Sequence, residues 1–313
     1  MKKILITAGG TATAWHLSTL IKSRFKENFK LYICDTNPRH LVPSAQLADY
    51  FKQVPSVMST GYREYMIDFL NDNNIDIIVP LIDHDIHIFN TDDQDLLKIK
   101  VLSTGITKGT STLLKNKAVW TAFLKEQGIS VPKTYTKNIV EQNSLYIVKP
   151  VLGFGSRDVR KVAKDEVDFY KNDERYLVQE ICNGPEITVE VFQNDGIIRS
   201  LCRERVEIKS GVCTKAKIWF DRELHELTKK ICGVISLPKA FCYQVMKNEN
   251  NQWVVIDINP RLGAGTSMST TYGWSLASAF LSIHGNLPYD PLGFLKYQDS
   301  PKYVLRVYED LLI

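Results

Sequence analysis

The sequence predicts an α/β protein with a Rossmann-like amino-terminal domain and a larger α+β part behind it. Lys3 to Ala8 and Leu31 to Cys34 are apolar runs separated by an amphipathic stretch, which is the βαβ pattern of a parallel sheet. Beyond residue 108 the strands are joined by hairpin signals instead. One of these later strands, Trp253 to Asn259, is apolar and β-branched and ends at Pro260, which cannot donate to a sheet ladder.

The composition excludes several specialised classes of protein. The chain has 313 residues, 44% hydrophobic and 24% charged, which suffices for two or three domains with a core. A net charge of +4, spread along the chain, is too small to predict a nucleic-acid partner. The apolar run after Met1 is too short for a signal peptide, and Leu262 to Ile283 is too rich in Gly, Ser and Thr to span a membrane. We therefore expect a cytoplasmic protein without a membrane partner.

Small residues follow the first predicted strand, at Gly9-Gly10-Thr11, and Asp35 ends the second. An acid in this place can bind the ribose of a nicotinamide dinucleotide, but the GxGxxG spacing is missing. The favoured interpretation is a Rossmann-like unit with a tight turn. A nicotinamide-dependent oxidoreductase that uses the region from Gly9 to Asp35 is the alternative.

Two acids, Asp83 and Asp85, lie just past the predicted strand Ile75 to Leu81. Ligands of open α/β sheets bind at the carboxyl ends of the strands, so both carboxylates could face a substrate. An equally supported interpretation is that they cap the following helix.

The next segment carries two lysines and a glycine-rich loop. Asn116 is predicted to cap a helix that Lys117 opens, and Lys149 ends a later apolar strand. The loop Gly153 to Arg157 follows that strand. Glycines allow backbone N–H groups to approach phosphate oxygens, and a lysine neutralises their charge, so this is a plausible phosphate site. A simple hairpin turn is the alternative for the loop.

The strands after Tyr176 to Ile181 carry several charges. Asn194-Asp195-Gly196 is a strong hairpin signal, and Arg203 and Arg205 lie on the strand behind it. Such charges usually belong to a solvated sheet face, and substrate binding is the less favoured interpretation. Asp221 is predicted to cap the helix that follows.

The last hairpin carries the candidate metal ligands. Side chains alternate along a strand, so Asp257 and Asn259 project to the same face, with Arg261 next. A two-residue turn at Asn250-Asn251 would set Gln244 directly opposite Asp257. Two oxygen ligands and a guanidinium on one face suit a magnesium ion that carries nucleotide phosphates. Taken alone, Asp-x-Asn at a strand end is more typical of turn chemistry.

The order of these pieces resembles the ATP-grasp superfamily, in the branch of the carbamoyl phosphate synthetase large chain and biotin carboxylase. The resemblance runs from about Lys117 to Gly265, and the amino-terminal part resembles the Rossmann-like domain that precedes the grasp. It implies a two-lobed ATP-grasp α+β fold. The implied domains are a Rossmann-like domain at 1–108, a small lobe with the glycine-rich loop at 109–180, and a carboxy-terminal lobe with the metal site at 181–313.

The resemblance also implies roles for individual residues, with ATP and Mg²⁺ as cofactors and Mn²⁺ as a substitute metal. Gln244, Asp257 and Asn259 would bind the metal, and Arg261 would face an acyl phosphate. Asp257 replaces the family's usual glutamate, which leaves open whether one or two ions bind. The implied nucleotide-binding residues are Lys117, Lys149, Gly153, Phe154, Gly155, Ser156, Arg157, Gln179, Glu180, Ile181, Cys182 and Glu186.

The implied activity is that of a ligase. ATP would phosphorylate a small-molecule carboxylate, and an amine or thiol would displace the phosphate. Asp83, Asp85, Arg203 and Arg205 are the candidates for contact with the substrates, and a homodimer is compatible with the resemblance. A non-catalytic nucleotide-binding protein is the second alternative. The sequence does not identify the acid or the nucleophile.

Overall fold

The computed structural model describes residues 1–135, 145–153, 158–209 and 211–312, and it contains three β-sheets. The amino-terminal domain is built on strands β1 (Lys2–Ile6), β2 (Phe29–Asp35), β3 (Tyr50–Gln53), β4 (Ile77–Val79) and β5 (Leu102–Ser103). All pair in parallel, in the order β3-β2-β1-β4-β5. The connecting helices are α1 (Ala12–Arg24), α2 (Tyr62–Asp72), α3 (Asp83–Ile88) and α4 (Gln94–Lys98). The predicted Rossmann-like domain is therefore confirmed.

Two helices lead into the small lobe, α5 (Lys108–Lys115) and α6 (Lys117–Glu126). Asn116 caps α6 as predicted, since its side chain accepts from the N–H of Ala118 at 2.9 Å. The lobe is an antiparallel sheet in the order β6-β9-β7-β8, beside the short helix α7 (Asp168–Lys171). Its strands are β6 (Thr134–Tyr135), β7 (Leu145–Pro150), β8 (Arg160–Ala163) and β9 (Tyr176–Gln179).

The large lobe is a six-stranded sheet in the order β14-β13-β10-β11-β12-β15. Its strands are β10 (Asn183–Asn194), β11 (Ile197–Lys209), β12 (Val212–Trp219), β13 (Ala240–Lys247), β14 (Trp253–Asn259) and β15 (Lys302–Leu305). The predicted turn at Asp195-Gly196 is confirmed, because both residues have positive φ and Asn194 pairs with Ile197. The helices are α8 (Arg222–Val234), which Asp221 caps as predicted, α9 (Thr266–Tyr272) and α10 (Leu276–Gly285).

One hydrophobic core joins the amino-terminal domain to the large lobe. It packs Ile4 and Leu17 of the first domain in the same cluster as Leu201, Ala216 and Leu281 of the large lobe. The small lobe has a separate core, which includes Tyr146, Val148, Val162 and Val178. The carboxyl edge of the amino-terminal sheet is thereby fixed against the large lobe. Within the described ranges, no helix has the length and apolar character needed to cross a membrane.

Candidate functional site

The β13–β14 hairpin has the predicted register but a different turn. Gln244 lies opposite Asp257, as predicted. The innermost pair, however, is Lys247 with Trp253, so residues 248–252 form the loop instead of a two-residue turn. The side chain of Asn248 closes this loop by accepting two backbone N–H groups at 3.0 Å each.

A β-bulge at Ile256 corrects the register. Val245 pairs with Val255 whereas Gln244 pairs with Asp257, so Ile256 is an extra residue on β14. The carbonyl of this bulged residue accepts the Lys149 Nζ ammonium at 3.1 Å. The irregularity therefore contributes to the site, because it supplies an acceptor for a lysine of the small lobe.

Asp257, Asn259 and Arg261 lie together in a chain of hydrogen bonds. Asn259 Nδ2 donates to Asp257 Oδ2 at 3.1 Å, and Arg261 Nη2 donates to Asn259 Oδ1 at 3.1 Å. Arg261 Nε also donates to Asp83 Oδ1 at 3.0 Å, across the boundary with the amino-terminal domain. Burial opposes the charged form of the guanidinium, but the neighbouring groups, Asp83 foremost, together outweigh it, so the pKa of Arg261 is raised.

The two predicted phosphate lysines converge from different elements. Lys117 begins α6, and its ammonium donates to the carbonyl of Gly153. Lys149 is only 8% exposed, and burial lowers its pKa to about 8 despite the attraction of Asp257. A buried ammonium of this kind is strongly attracted to an anion that enters the site, because few water molecules compensate its charge.

Glu186 connects the metal hairpin to the arginines of β11. Its Oε1 accepts from Gln244 Nε2 at 2.6 Å and also from Arg205 Nη1. Glu180 lies at the other end of the site, where its Oε1 accepts the backbone N–H of Lys133 at 2.8 Å.

Most of the predicted nucleotide and metal residues line one cavity of about 230 Å³. They are Lys117, Lys149, Gly153, Gln179, Glu180, Cys182, Glu186, Gln244 and Asp257. Its walls also include Ile147, Val159 and Met246, which sequence reasoning missed. Ile147 could have been found, because it lies two residues before Lys149 on the same strand and therefore on the same face. Ile181, by contrast, does not line this cavity.

A second cavity of about 340 Å³ adjoins the first and shares Lys117, Gly153 and Asp257 with it. A third, of about 870 Å³, lies elsewhere along the small lobe and includes Glu180. This larger space contains neither the two phosphate lysines nor Asp257. The cavity of about 230 Å³ therefore suits a nucleotide with its phosphates and metal better than the cavity of about 870 Å³ does.

The family match decides what kind of protein this is. Residues 114–265 match an ATP-grasp domain, and residues 4–103 match a PylC-like N-terminal domain. The chain belongs to the ATP-grasp superfamily. The predicted ATP-grasp fold behind a Rossmann-like domain is confirmed, and ATP-grasp enzymes use ATP and Mg²⁺.

Solved structures of ATP-grasp proteins resemble this chain over nearly its whole length. The N5-carboxyaminoimidazole synthetase of Staphylococcus aureus has a TM-score of 0.71 and 19% identity, covering 93% of this chain and 78% of that one. The biotin carboxylase domain of the Hydrogenobacter thermophilus 2-oxoglutarate carboxylase has a TM-score of 0.72 and 15% identity, covering 96% and 73%. The carboxyaminoimidazole ribonucleotide synthase of Aspergillus clavatus has a TM-score of 0.72 and 17% identity, covering 97% and 81%. At these identities the likeness shows the fold. Comparison of the sequence with curated proteins gives no match.

The donor set of this ATP-grasp protein fits a hard cation. Among the described residues, no group of three or more His, Cys, Asp or Glu side chains could hold a metal. Asp257 is instead accompanied by the amides of Gln244 and Asn259. One carboxylate and amide oxygens, completed by phosphate oxygens, are ligands typical of Mg²⁺.

The candidate substrate residues have different surroundings. Asp85 is 1% exposed and accepts the Tyr62 hydroxyl at 2.9 Å, so it faces the core of the amino-terminal domain and not the cleft. Arg203 is buried beside Glu190, at 3.5 Å. Asp83 is paired with Arg261. The loop residues Phe154, Gly155, Ser156 and Arg157 lie outside the described residues.

The region from Gly9 to Asp35 has a structural explanation that needs no dinucleotide. Asp35 Oδ2 accepts the N–H of Gly10 at 2.8 Å, and Oδ1 accepts two donors of Asn37 at 2.9 Å each. A Cβ on Gly9 would lie 2.4 Å from Ile33 Cγ2, so packing alone requires this glycine. Both carboxylate oxygens that would bind a ribose already accept hydrogen bonds within the domain, which disfavours the oxidoreductase alternative.

Proposed function

We propose that this ATP-grasp protein is an ATP- and Mg²⁺-dependent ligase that joins a small carboxylic acid to an amine or thiol through an acyl phosphate. The observation that carries the proposal is the convergence of Lys117, Lys149 and Asp257 on two adjoining cavities. Arg261 lies behind the wall of the second cavity, where it is bonded to Asp83 and Asn259. Phosphoryl transfer depends on positioning and charge neutralisation more than on a covalent nucleophile, and these residues supply both.

The likeness to solved structures supports the choice of nucleotide. The Staphylococcus aureus synthetase was solved with ADP, and the Hydrogenobacter thermophilus domain with MgADP and bicarbonate. In this chain, Glu180 and Cys182 would contact the adenine, and Lys117 and Lys149 would contact the phosphates. Gln244, Asp257 and Asn259 would hold Mg²⁺, which neutralises the phosphate oxygens when bound.

The cavity of about 340 Å³ is the proposed site for the acid. It opens beside Asp257 and Asn259, so a carboxylate there could approach the terminal phosphate. Its volume lies in the range of small-molecule sites, and Ile86, Leu114 and Trp120 provide apolar walls. Lys115 and Lys117 line it with positive charge, while the charge of Asp83 is balanced by Arg261. A small acid with an apolar body fits these walls.

Arg261 would stabilise the phosphate as it passes to the acid, since its guanidinium lies next to the metal ligands. The resulting acyl phosphate is an activated acid, and attack by the amine or thiol would release inorganic phosphate. The homodimer, the cytoplasmic location and the three domain boundaries remain predictions.

The test is ADP release, screened over pools of carboxylic acids with amino acids as acceptors, with hydroxylamine added to trap the acyl phosphate as a hydroxamate. Asp257→Ala should lower acid-dependent ADP release at least about 100-fold, because it removes the charged metal ligand. Glu249→Ala is the matched control, since Glu249 is an exposed acid in the loop of the same hairpin. Near-normal turnover of Asp257→Ala at ordinary Mg²⁺ would contradict the assignment.

A further inference from the structure

The pairing of Asp83 with Arg261 joins two parts of the chain that are 178 residues apart. Asp83 is the first residue of α3, directly behind β4 at the carboxyl edge of the amino-terminal sheet. Arg261 follows β14 at the edge of the large-lobe sheet. The side chains of both residues are about one-fifth exposed, so their bond at 3.0 Å is only partly accessible to solvent.

Arg261 also binds a residue that the proposed function requires for the metal. Its Nη2 donates to Asn259 Oδ1 at 3.1 Å, while Asn259 Nδ2 donates to Asp257 Oδ2. Oδ1 is the only oxygen with which the Asn259 side chain can bind a cation. The guanidinium and a metal ion at this oxygen would repel each other.

We propose that Asp83 is a positioning residue, which holds Arg261 and balances its charge so that the Asn259 oxygen can serve the metal. The proposal rests on the function proposed above. In it, Arg261 keeps its Nε bond to Asp83 while the Asn259 amide turns its Oδ1 towards the metal, which frees the Nη2 N–H for the transferred phosphate. Asp83 thus acts through Arg261, which differs from the direct substrate contact that the sequence predicted.

The surroundings support this division of roles. The Nε and Nη2 atoms donate to different partners, so the guanidinium can stay bonded to Asp83 when the Asn259 side chain turns away. The shared hydrophobic core packs the first domain against the large lobe, and it includes Leu81, two residues before Asp83. Without its carboxylate, the positive charge beside Asn259 would lose the acid to which it is hydrogen-bonded, and Asp257 would be the acid left near it.

The experiment measures Mn²⁺ binding to the full-length protein with ADP, by electron paramagnetic resonance of the free ion, in Asp83→Asn. We expect the dissociation constant of Mn²⁺ to rise about tenfold, the lower end of the range for residues that support metal ligands. Asp68→Asn is the control, because Asp68 is an exposed acid of the same domain and the substitution makes the same change in charge. This control should leave Mn²⁺ binding unchanged.

A second comparison asks whether Asp83 acts through Arg261. Asp83→Asn should weaken Mn²⁺ binding much less when Arg261 is already replaced by Leu, since no guanidinium then needs compensation. Equal Mn²⁺ binding by Asp83→Asn and Asp68→Asn would overturn the proposal, and so would an undiminished effect of Asp83→Asn in the Arg261→Leu background. Circular dichroism melting identifies a variant that fails to fold. Asp83→Glu keeps the negative charge, so it should retain most of the affinity for Mn²⁺.

The measurement needs no acid or amine substrate. If no carboxylate ever stimulates ADP release, the proposed ligase function fails while the Mn²⁺ comparison still decides the role of Asp83. If acid-dependent turnover is found and Mn²⁺ binding does not respond to Asp83, the positioning role alone fails.

Discussion

Replacement of Gly265 is predicted to destabilise the protein, because the guanidinium of Arg203 lies against it. A Cβ at this position would lie 2.1 Å from Arg203 Cζ and 2.3 Å from Nη2. Ordinary contacts between such atoms are about 3.5 Å or longer, so the guanidinium would have to move by more than about 1 Å. Arg203 is only 3% exposed and has little room to move.

That movement would disrupt a buried ion pair. Glu190 is wholly buried, and its distance of 3.5 Å to Arg203 is already at the limit of a hydrogen bond. Breaking a buried pair costs about 3–5 kcal/mol, because it leaves a charge without a partner. We take about 3 kcal/mol, since Glu190 can respond by binding a proton; burial already raises its pKa.

Scanning calorimetry measures this effect. The expected fall in Tm is the loss of stability divided by the entropy of unfolding, which is about 2.1 cal/mol/K per residue. For this chain, a loss of about 3 kcal/mol in Gly265→Ala lowers the Tm by about 5 °C. Gly233→Ala is the control, because Gly233 lies in α8 and a Cβ added to it would have nothing within 4 Å. It should be neutral or slightly stabilising, since alanine favours a helix by up to about 1 kcal/mol. Equal Tm values for the two variants would refute the reasoning.

Two further predictions concern the nucleotide and the hairpin. ADP affinity should fall about tenfold per pH unit above pH 8, because the pKa of Lys149 is about 8 and the charged form binds phosphate. Isothermal titration calorimetry measures the affinity at each pH. Lys149→Arg should remove the pH dependence, since a guanidinium stays charged. An ADP affinity of the wild type that does not change with pH would contradict the prediction. Asn248→Ala should cost about 1–2 kcal/mol in the free energy of unfolding, because it removes the acceptor of two backbone N–H groups. Urea unfolding measures this loss. Asn250→Ala is the control, because the Asn250 side chain accepts neither of those bonds. Equal unfolding free energies for the two variants would show that the loop does not depend on Asn248.

Local sequence patterns predicted much of the fold because they report local physics. The caps at Asn116 and Asp221 follow from side-chain oxygens that accept the N–H groups of the first helical turn. The turn at Asp195-Gly196 follows from residues that tolerate positive φ. The edge strand β15 was not predicted, since four residues show too little alternation to be distinguished from a loop.

The candidate site was predicted less evenly. The predicted pairing of Gln244 with Asp257 is correct, but the predicted two-residue turn is not. The longer loop shifts the register by one residue, and the bulge at Ile256 shifts it back. Nothing in the local sequence signals that bulge. Asp83 was placed near the site, but its bond to Arg261 depends on how two domains pack, which periodicity does not report. The burial of Asp85 depends on which face of α3 turns inward.

The separate core of the small lobe has a consequence for how the molecule should come apart. Regions with their own core open as cooperative units, with a stability different from that of the whole protein. Hydrogen exchange of β7 and β9 should therefore report a lower-energy opening than exchange of β1 or β10, which belong to the larger cores. Such an opening would withdraw Lys149 from the Ile256 carbonyl while the bond between Asp83 and Arg261 stays intact. A nucleotide that contacts both sides would suppress it, so protection of the small lobe would be a direct measure of nucleotide binding.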